Sequence, residues 1–413
     1  MSGPADPVVV VGAGAAGTMA AIFAAEHRRP VLLLERTRNG GRKIVISGGG
    51  RCNVLPSRAD PSQFVTASSP NTLRKILLSW PLAEQRAFFE DTLRIPLELE
   101  EETGKLFPVS NRSRDVRDGL YDLARRRGAE IAFETKVTGL KPPVGDRPWR
   151  VATDDGEIRA SRVILATGGL SVPASGSDGL GLGIAARLGH AIHPTYPALT
   201  PLVCDPPRHA DLAGVSLEVE LTAPLPRGRF RTRGGFLFTH RGYSGPSVLD
   251  VSHLAVLSAR DGGPRQEIRV RWTDTDAGTW DERLREGGAG EVGPLVRRHL
   301  PTRLADRLLE EAGVDAARPL AGLRREERSA LVEALARYQL PWTGDEGYRK
   351  AEVTGGGVAL AEVDPRTLES RHQPGLHLCG EMLDAFGPIG GYNFLWGWAT
   401  GRAAGLGVAR AAG

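Results

Sequence analysis

Ten residues near the start, VVVVGAGAAG (8–17), restrict what this chain can fold into more than any other stretch. Four consecutive valines suit a strand buried on both faces, as the strands of a parallel sheet are. They run into Gly12, Gly14 and Gly17 in a G-x-G-x-x-G frame. The first glycine permits the tight turn, the second lets the backbone approach a pyrophosphate, and the third lets helix and strand pack closely. The segment from Gly17 to Glu26 is alanine-rich and helix-compatible, and Val31–Leu34 is again an apolar strand, so the chain opens with a β-α-β unit. Ala15 and Ala16 fall in the first helical turn, where free N–H groups and the positive end of the helix dipole favour phosphate. The second strand ends in Glu35, 18 residues past Gly17 and followed by Arg36. A carboxylate there accepts both hydroxyls of an adenosine ribose and disfavours a 2′-phosphate. NAD and FAD share this ADP half, so the opening unit alone does not choose between them.

Three further segments favour FAD. The stretch RNGGRKIVISGGGRCN (38–53) is too long for a simple α/β connection and is expected to be functional. Gly48, Gly49 and Gly50 remove side chains so that a flat ring or a phosphate can approach, and Arg42, Lys43 and Arg51 supply positive charge. Ser47, Cys52 and Asn53 complete the expected contacts of this loop. Thr167, Gly168 and Gly169 end the apolar strand RVILATGG (162–169), where a side-chain-poor backbone can run beneath adenosine or pyrophosphate; Val137 is placed in the same contact set. The third segment, GLHLCGEMLDAFGPIGGYN (375–393), contributes Gly380, Glu381, Asp384, Gly390, Gly391, Tyr392 and Asn393. An extended FAD needs wall material from such a distant segment. Asp384 is positioned for ribityl hydroxyls, and Gly390–Gly391 let backbone N–H groups meet the flavin's pyrimidine edge, where they stabilise negative charge on the reduced ring. The ring is therefore expected between the SGGGRCN loop and residues 390–393.

The 413 residues suffice for two or three domains. Asn71–Phe89 and Val116–Arg127 have helical spacing, and WRVATDDGEIRASRV reads as a hairpin turning at Asp154-Asp155-Gly156. From about Pro194 short alternating segments such as SLEVEL and QEIRVRW suggest an antiparallel sheet or barrel. Residues 281–338 turn helical, with breaks at Gly287-Gly288, Gly313 and Pro319, and the glycine-rich apolar texture returns after Glu352. The expected division is an FAD-binding domain of residues 1–192 and 351–413, an inserted β-barrel or antiparallel domain of 193–280 and 338–350, and a small helical module of 281–337.

Composition narrows the partners. Basic residues number 53 against 49 acidic, a net +4, which argues against a nucleic-acid partner and for a small-molecule substrate. Cys52, Cys204 and Cys379 lie far apart without zinc-type spacing, so no metal is expected, and a reducing cytoplasm is the natural compartment. The uncharged run Pro7–Ala25 has neither the flanks of a signal peptide nor an uninterrupted apolar span, so no membrane partner is expected. Nothing in the sequence sets the oligomeric state.

These segments occur together and in order, and through them the chain resembles the bacterial NAD(P)/FAD-dependent oxidoreductase family that includes aminoacetone-oxidase-like and bile-acid-reductase-like flavoproteins. The marks are GRKIVISGGGRCN, FTHRGYSGPSVL (238–249), TGGGVALAEVDPRTLES (354–370) and CGEMLDAFGPIGGYNFLWGWATG. The resemblance implies an α/β fold, with a Rossmann-like FAD domain of the glutathione-reductase type carrying an inserted β-barrel and a small helical domain. It also implies hydride transfer between bound FAD and a small organic substrate; an FAD-binding regulatory protein without turnover is the alternative. DGLGLGIAARLGH (178–190) departs from the related TGDG-type helix start at Ser177 and Leu180 and is expected to pack as a helix. No second strand-linked G-x-G-x-x-G is present, so NAD(P)H would act as a diffusible reductant. His240, inside the FTHRGYSGP segment, is the candidate catalytic acid or base, beside the alternative of a hydrogen-bonding role in its loop. Cys52 lacks the nearby cysteine that a redox pair needs. Trp396 and Trp398 either roof the flavin or pack the helix they begin.

Overall fold

The structure, a computed structural model, describes residues 5–26, 29–145, 147–286, 288 and 290–410; Gly287 of the expected Gly287-Gly288 break lies outside them. The chain divides into two compact units, Met1–Tyr196 with Val353–Gly413, and Pro197–Glu352.

The first unit is organised by a parallel sheet. Its order is Leu376–Leu378, Arg162–Leu165, β1 (Val8–Val11), β2 (Val31–Leu34), Ala129–Ala132. The valines of β1 sit in the middle, Val8 opposite both Arg162 and Val31, which is why all four are buried. Helix α1 (Ala15–Ala25) follows β1 and is apolar almost all round; ten of its 11 residues are buried. One covering element is the helix Tyr392–Arg410, and glycines let the two backbones touch. A Cβ on Gly401 would lie 2.3 Å from the Ala16 carbonyl oxygen, and one on Gly405 would lie 2.5 Å from that of Ala20. Helix Tyr392–Arg410 begins four residues before the expected start at Trp396. The Trp396 and Trp398 indoles are 2% and 0% exposed and donate to the carbonyls of Gly380 and Val54, both at 3.1 Å, so they pack the helix.

Two three-stranded antiparallel sheets and a two-stranded sheet of Ile192–Ala198 with Val353–Val358 accompany the parallel sheet; one of the three-stranded sheets is built on the expected hairpin, where Thr153 pairs with Gly156 and Asp154–Asp155 form the turn. The helix expected over 71–89 is interrupted instead: Pro70–Leu78 and Leu82–Ala87 are separated at Trp80-Pro81, and a π-turn, Phe88–Thr92, follows. Pro81 explains the break, since it lacks an N–H and disfavours helical backbone in the residue before it. The helix within 178–190 runs Leu180–Arg187.

The second unit is a seven-stranded antiparallel sheet ordered Tyr338–Gln339, Arg269–Arg271, Ser216–Pro224, Arg229–Phe238, Gly242–Ser244, Leu202–Val203, Gly344–Asp345. Helix Pro246–Arg260 packs on the two long strands, beside Phe230 and Thr232. Four helices between Ala277 and Ala336 contribute to a core that includes Trp272 and Trp280.

Candidate functional site

The turn between β1 and α1 shows where each glycine is needed. Gly12 has φ +101°, and a Cβ there would meet the Ala166 oxygen at 2.6 Å; one on Gly17 would lie 1.8 Å from the Gly12 oxygen. Both positions are closed by the protein's own backbone. Gly14 is different: its φ of −79° suits any residue, and nothing lies within 4 Å of its Cβ direction. No side chain caps the start of α1, which leaves its first N–H groups without a capping side chain.

Glu35 is 7% exposed and anchors this turn. Its Oε2 accepts the Ala13 N–H at 3.0 Å, while Oε1 accepts the Thr37 N–H at 2.8 Å and the Thr37 hydroxyl at 2.7 Å. Tyr121, a residue the sequence did not single out, donates its hydroxyl to the Ala13 carbonyl at 2.8 Å. Burial raises the Tyr121 phenol above its ordinary range, so it stays a neutral donor.

The segment 38–53 contains a short helix, Arg42–Ile46, and then the turn Ser47–Gly50. Gly48, Gly49 and Gly50 are left-handed, and so is Cys52 at φ +64°. Gly48 faces Phe107, but Gly49 and Gly50 have nothing within 4 Å of a Cβ. Asn53 is buried, and its Oδ1 has no partner among the described residues. Cys52 is fully buried and its thiol is pushed up to about 12 by burial, which disfavours the thiolate; Cys204 and Cys379 are buried and unpaired too.

Lys43 joins a second cluster. Its Nζ lies 2.5 Å from both Glu381 Oε2 and Ser171 Oγ, while Glu381 Oε1 accepts from Ser171 Oγ at 2.6 Å and from the Thr354 N–H at 3.1 Å. Thr354 Oγ1 in turn accepts the Leu170 N–H at 2.7 Å. Gly169 must be glycine for this arrangement, because its Cβ would fall 2.3 Å from Thr354 Oγ1. Gly168, at φ +73°, is closed by Ser177 in the same way. Thus Lys43, Gly169 and Glu381, from three separate segments, meet in one polar cluster. Ser171 and Thr354 were missed because isolated hydroxyls carry no spacing signal, although Thr354 opens one of the quoted marks.

Several expected contacts have other work in the structure. Asp384, expected to hold ribityl hydroxyls, is 2% exposed and its Oδ2 accepts from the Ala67 and Ser68 N–H groups and from both the Thr66 and Ser68 hydroxyls, so it secures the 66–68 turn. Arg51, expected to supply positive charge beside the loop, pairs with Glu100 at 3.0 Å and lies 4.0 Å above Phe107. Arg36 pairs with Asp178, whose carboxyl this bond holds low against the opposing effect of burial. Arg42 donates to the Ala174 carbonyl. Gly380, φ +80°, is closed by Ala16, and its N–H donates to Thr400 Oγ1 at 3.0 Å. Gly391 faces the Leu55 backbone at 2.5 Å rather than open space, whereas Gly390 has only side-chain atoms near 4 Å. Tyr392 packs edge-on against Phe64, and the Asn393 amide closes on both the N–H and the oxygen of Gly387. Val137 is buried at the start of the strand Val137–Lys141, and Thr167 lines Gly181. His240 belongs to the second unit, exposed on a bend after the strand Arg229–Phe238.

The residues present suit an FAD. Gly14, Gly49 and Gly50 leave space that a methyl would enter without touching protein, and Asn53 presents a buried oxygen with no internal donor. Glu35 ends the second strand, where this class of fold carries a ribose-binding carboxylate. Fold and site define a Rossmann-type flavoprotein. The model of the HI0933-like protein Rossmann domain matches residues 6–407, and the chain belongs to that family of FAD-binding oxidoreductases. Among its relatives, the 3-dehydro-bile acid delta(4,6)-reductase of Clostridium scindens is 32% identical over 419 residues, covering 97% of this chain and 98% of that one. The ribosomal RNA dihydrouridine synthase of Escherichia coli is 31% identical over 398 residues, 95% of each. A flavocytochrome c3 fumarate reductase in its open conformation shares the fold, with a TM-score of 0.51 at 17% identity over 99% of this chain and 79% of that one. Among the described residues no helix is long and apolar enough to cross a membrane.

Proposed function

We propose that this protein is an FAD-dependent reductase of carbon–carbon double bonds conjugated to a carbonyl, re-reduced by NAD(P)H acting as a diffusible donor. The glycine-rich turn 12–17, where Gly14 has nothing within 4 Å of a Cβ and Gly12 and Gly17 are closed by backbone, is the observation that supports the flavin part of this reading. The reaction class is supported by the relatives, whose two different names share one chemistry. A dihydrouridine is a uracil ring that has gained two hydrogens across a double bond beside a carbonyl, and a 3-dehydro bile acid with delta(4,6) unsaturation is a conjugated ketone.

Bound FAD supplies the hydride in such a reaction. The chain's residues hold and tune it: Gly12, Gly14 and Gly17 with the start of α1 for the pyrophosphate, Glu35 for the ribose, and residues 47–53 with 390–393 around the ring. A hydride added to the carbon β to a carbonyl leaves negative charge that a proton must quench at the α carbon. His240, exposed and therefore able to exchange protons with water, is the proposed donor.

The deciding experiment is anaerobic. NADPH or NADH should bleach the flavin absorbance of the purified protein, and a conjugated 3-ketosteroid or a uracil-containing acceptor should restore it. A flavin that neither pyridine nucleotide reduces, with no turnover of any acceptor, would instead favour a binding or regulatory protein.

A further inference from the structure

The flavin ring is proposed to lie between two loops, residues 47–53 and 390–393, and one short strand touches both. On the strand Lys105–Pro108 alternate side chains share a face, so Lys105 and Phe107 point the same way, and Leu106, 2% exposed, points to the other side. Phe107 meets the first loop: a Cβ on Gly48 would lie 2.8 Å from its ring, and the Arg51 guanidinium lies 4.0 Å above it. Lys105 meets the second loop, its Cγ and Cε both 3.8 Å from a Cβ built on Gly390. The neighbouring strand Leu55–Pro56 secures this register, because Pro56 stands opposite Lys105 and the Leu55 carbonyl carbon is 2.5 Å from a Cβ on Gly391. The lysine stem therefore crosses the loop proposed for the pyrimidine edge, and the ammonium, one bond beyond Cε, stands beside it.

The charge of Lys105 is uncommitted. Arg36, Arg42, Lys43 and Arg51, the cations that the sequence offers to this site, all engage protein oxygens. The Lys105 ammonium makes no ion pair or hydrogen bond among the described residues. Glu100, opposite it across the strand pair, is taken instead by Arg51 at 3.0 Å and by the Thr103 hydroxyl at 2.5 Å. Lys105 is half-buried, and a charge that water screens only in part acts more strongly on a neighbouring charge than a fully exposed one does.

We propose that Lys105, given the ring position proposed above, is the cation that balances the negative charge of the reduced flavin and so sets how readily the ring accepts hydride. A hydride delivered to N5 brings one proton and two electrons, which leaves one negative charge spread over N1 and the C2 oxygen. An ammonium beside Gly390 meets that charge without giving up its proton. Backbone N–H groups of residues 390–391 supply only dipoles there, whereas Lys105 supplies a full charge.

The test uses the FAD-loaded protein and sodium sulfite. The sulfur lone pair forms a bond to flavin N5 and leaves the same negative charge on the pyrimidine edge, so bleaching of the yellow band reads the stabilising charge without any substrate. Wild type should bind sulfite, and Lys105→Met should bind it about tenfold more weakly or worse. The two-electron potential of that variant should fall by about 30 mV for each tenfold. Lys105→Arg keeps the charge and should stay within about threefold of wild type. Lys75→Met removes a cation exposed on the helix Pro70–Leu78 and should match wild type. Should Lys105→Met lose its flavin, Lys105→Gln, with a polar side chain in its place, carries the same expectation. A wild-type flavin inert to sulfite, equal affinity in wild type and the uncharged variant, or an equal loss in Lys105→Arg would overturn the proposal while leaving FAD binding intact. A wild-type protein that takes up no added FAD would overturn the flavin reading and this proposal with it, so the two failures are told apart.

Discussion

Glu35 Oε2 accepts the backbone N–H of Ala13 at 3.0 Å, so the carboxylate proposed for a ribose also fastens the glycine turn proposed for the pyrophosphate. One side chain thus shapes the site before any nucleotide arrives. Glu35→Ala should lower FAD affinity by about 1–3 kcal/mol, and it should also lower the melting temperature of the apoprotein, because Ala13 and Thr37 lose a buried acceptor. Flavin release titrations and apoprotein melting check both halves. An apoprotein melting unchanged from wild type would mean the anchor is unimportant.

Two glycines of the same turn should respond oppositely. Gly14→Ala adds a methyl to open space at a backbone angle that alanine accepts, so apoprotein stability should be unaltered while FAD binding is lost or sharply weakened. Gly17→Ala drives a methyl into the Gly12 oxygen and should destabilise the protein with or without flavin, by about 2 kcal/mol or more. If Gly14→Ala kept full FAD affinity, the pyrophosphate would not lie where the turn places it.

Lys43 and Glu381 are bound at 2.5 Å with side chains only 26% and 18% exposed. Removing either partner strands the other. Lys43→Met and Glu381→Gln should each cost about 1–3 kcal/mol, and the double variant should cost less than their sum. A denaturant double-mutant cycle reads the coupling directly; strict additivity would show the pair to be energetically idle.

Acid should loosen both units through their histidines. Burial pushes the imidazoles of His377 and His253 down to about 4, and it lowers that of His190 as well. An unfolded histidine titrates near 6.5, so between pH 6.5 and about 4 the unfolded chain binds protons that the folded one refuses. Stability is whole above pH 6.5 and falls on acidification by up to about 1.4 kcal/mol per pH unit for each such group. Urea midpoints at pH 7 and pH 5 should differ accordingly, and the double variant His253→Asn, His377→Asn should be the less pH-sensitive protein. Equal sensitivity in the two would assign the effect elsewhere.

The opening β-α-β unit was legible because its signal lies in one short stretch: four valines, three glycines at fixed spacing and Glu35 all fall within residues 8–35. The long loops were legible only in part. That residues 47–53 are glycine-rich for approach is visible at Gly49 and Gly50, but Gly391 has the same letter for a different reason, since the Leu55 backbone presses against it. Asp384 shows the same limit, for a carboxylate at a turn serves a ligand or its own chain equally well in sequence, and the donors at 66–68 that engage its Oδ2 carry no sequence signal. The break at Pro81 was missed because the apolar spacing of a helix continues on either side of it.

The contact of α1 with the helix Tyr392–Arg410 has a meaning for biosynthesis. Residues 15–25 leave the ribosome early as an almost wholly apolar helix, and the surface that seals them is translated only after the whole second unit. Until then the nascent chain carries a nucleotide turn with one wall missing. Cofactor loading is accordingly a late event, and a ribosome stalled within residues 197–352 holds a chain that exposes α1 to chaperones and proteases rather than a half-finished flavoprotein.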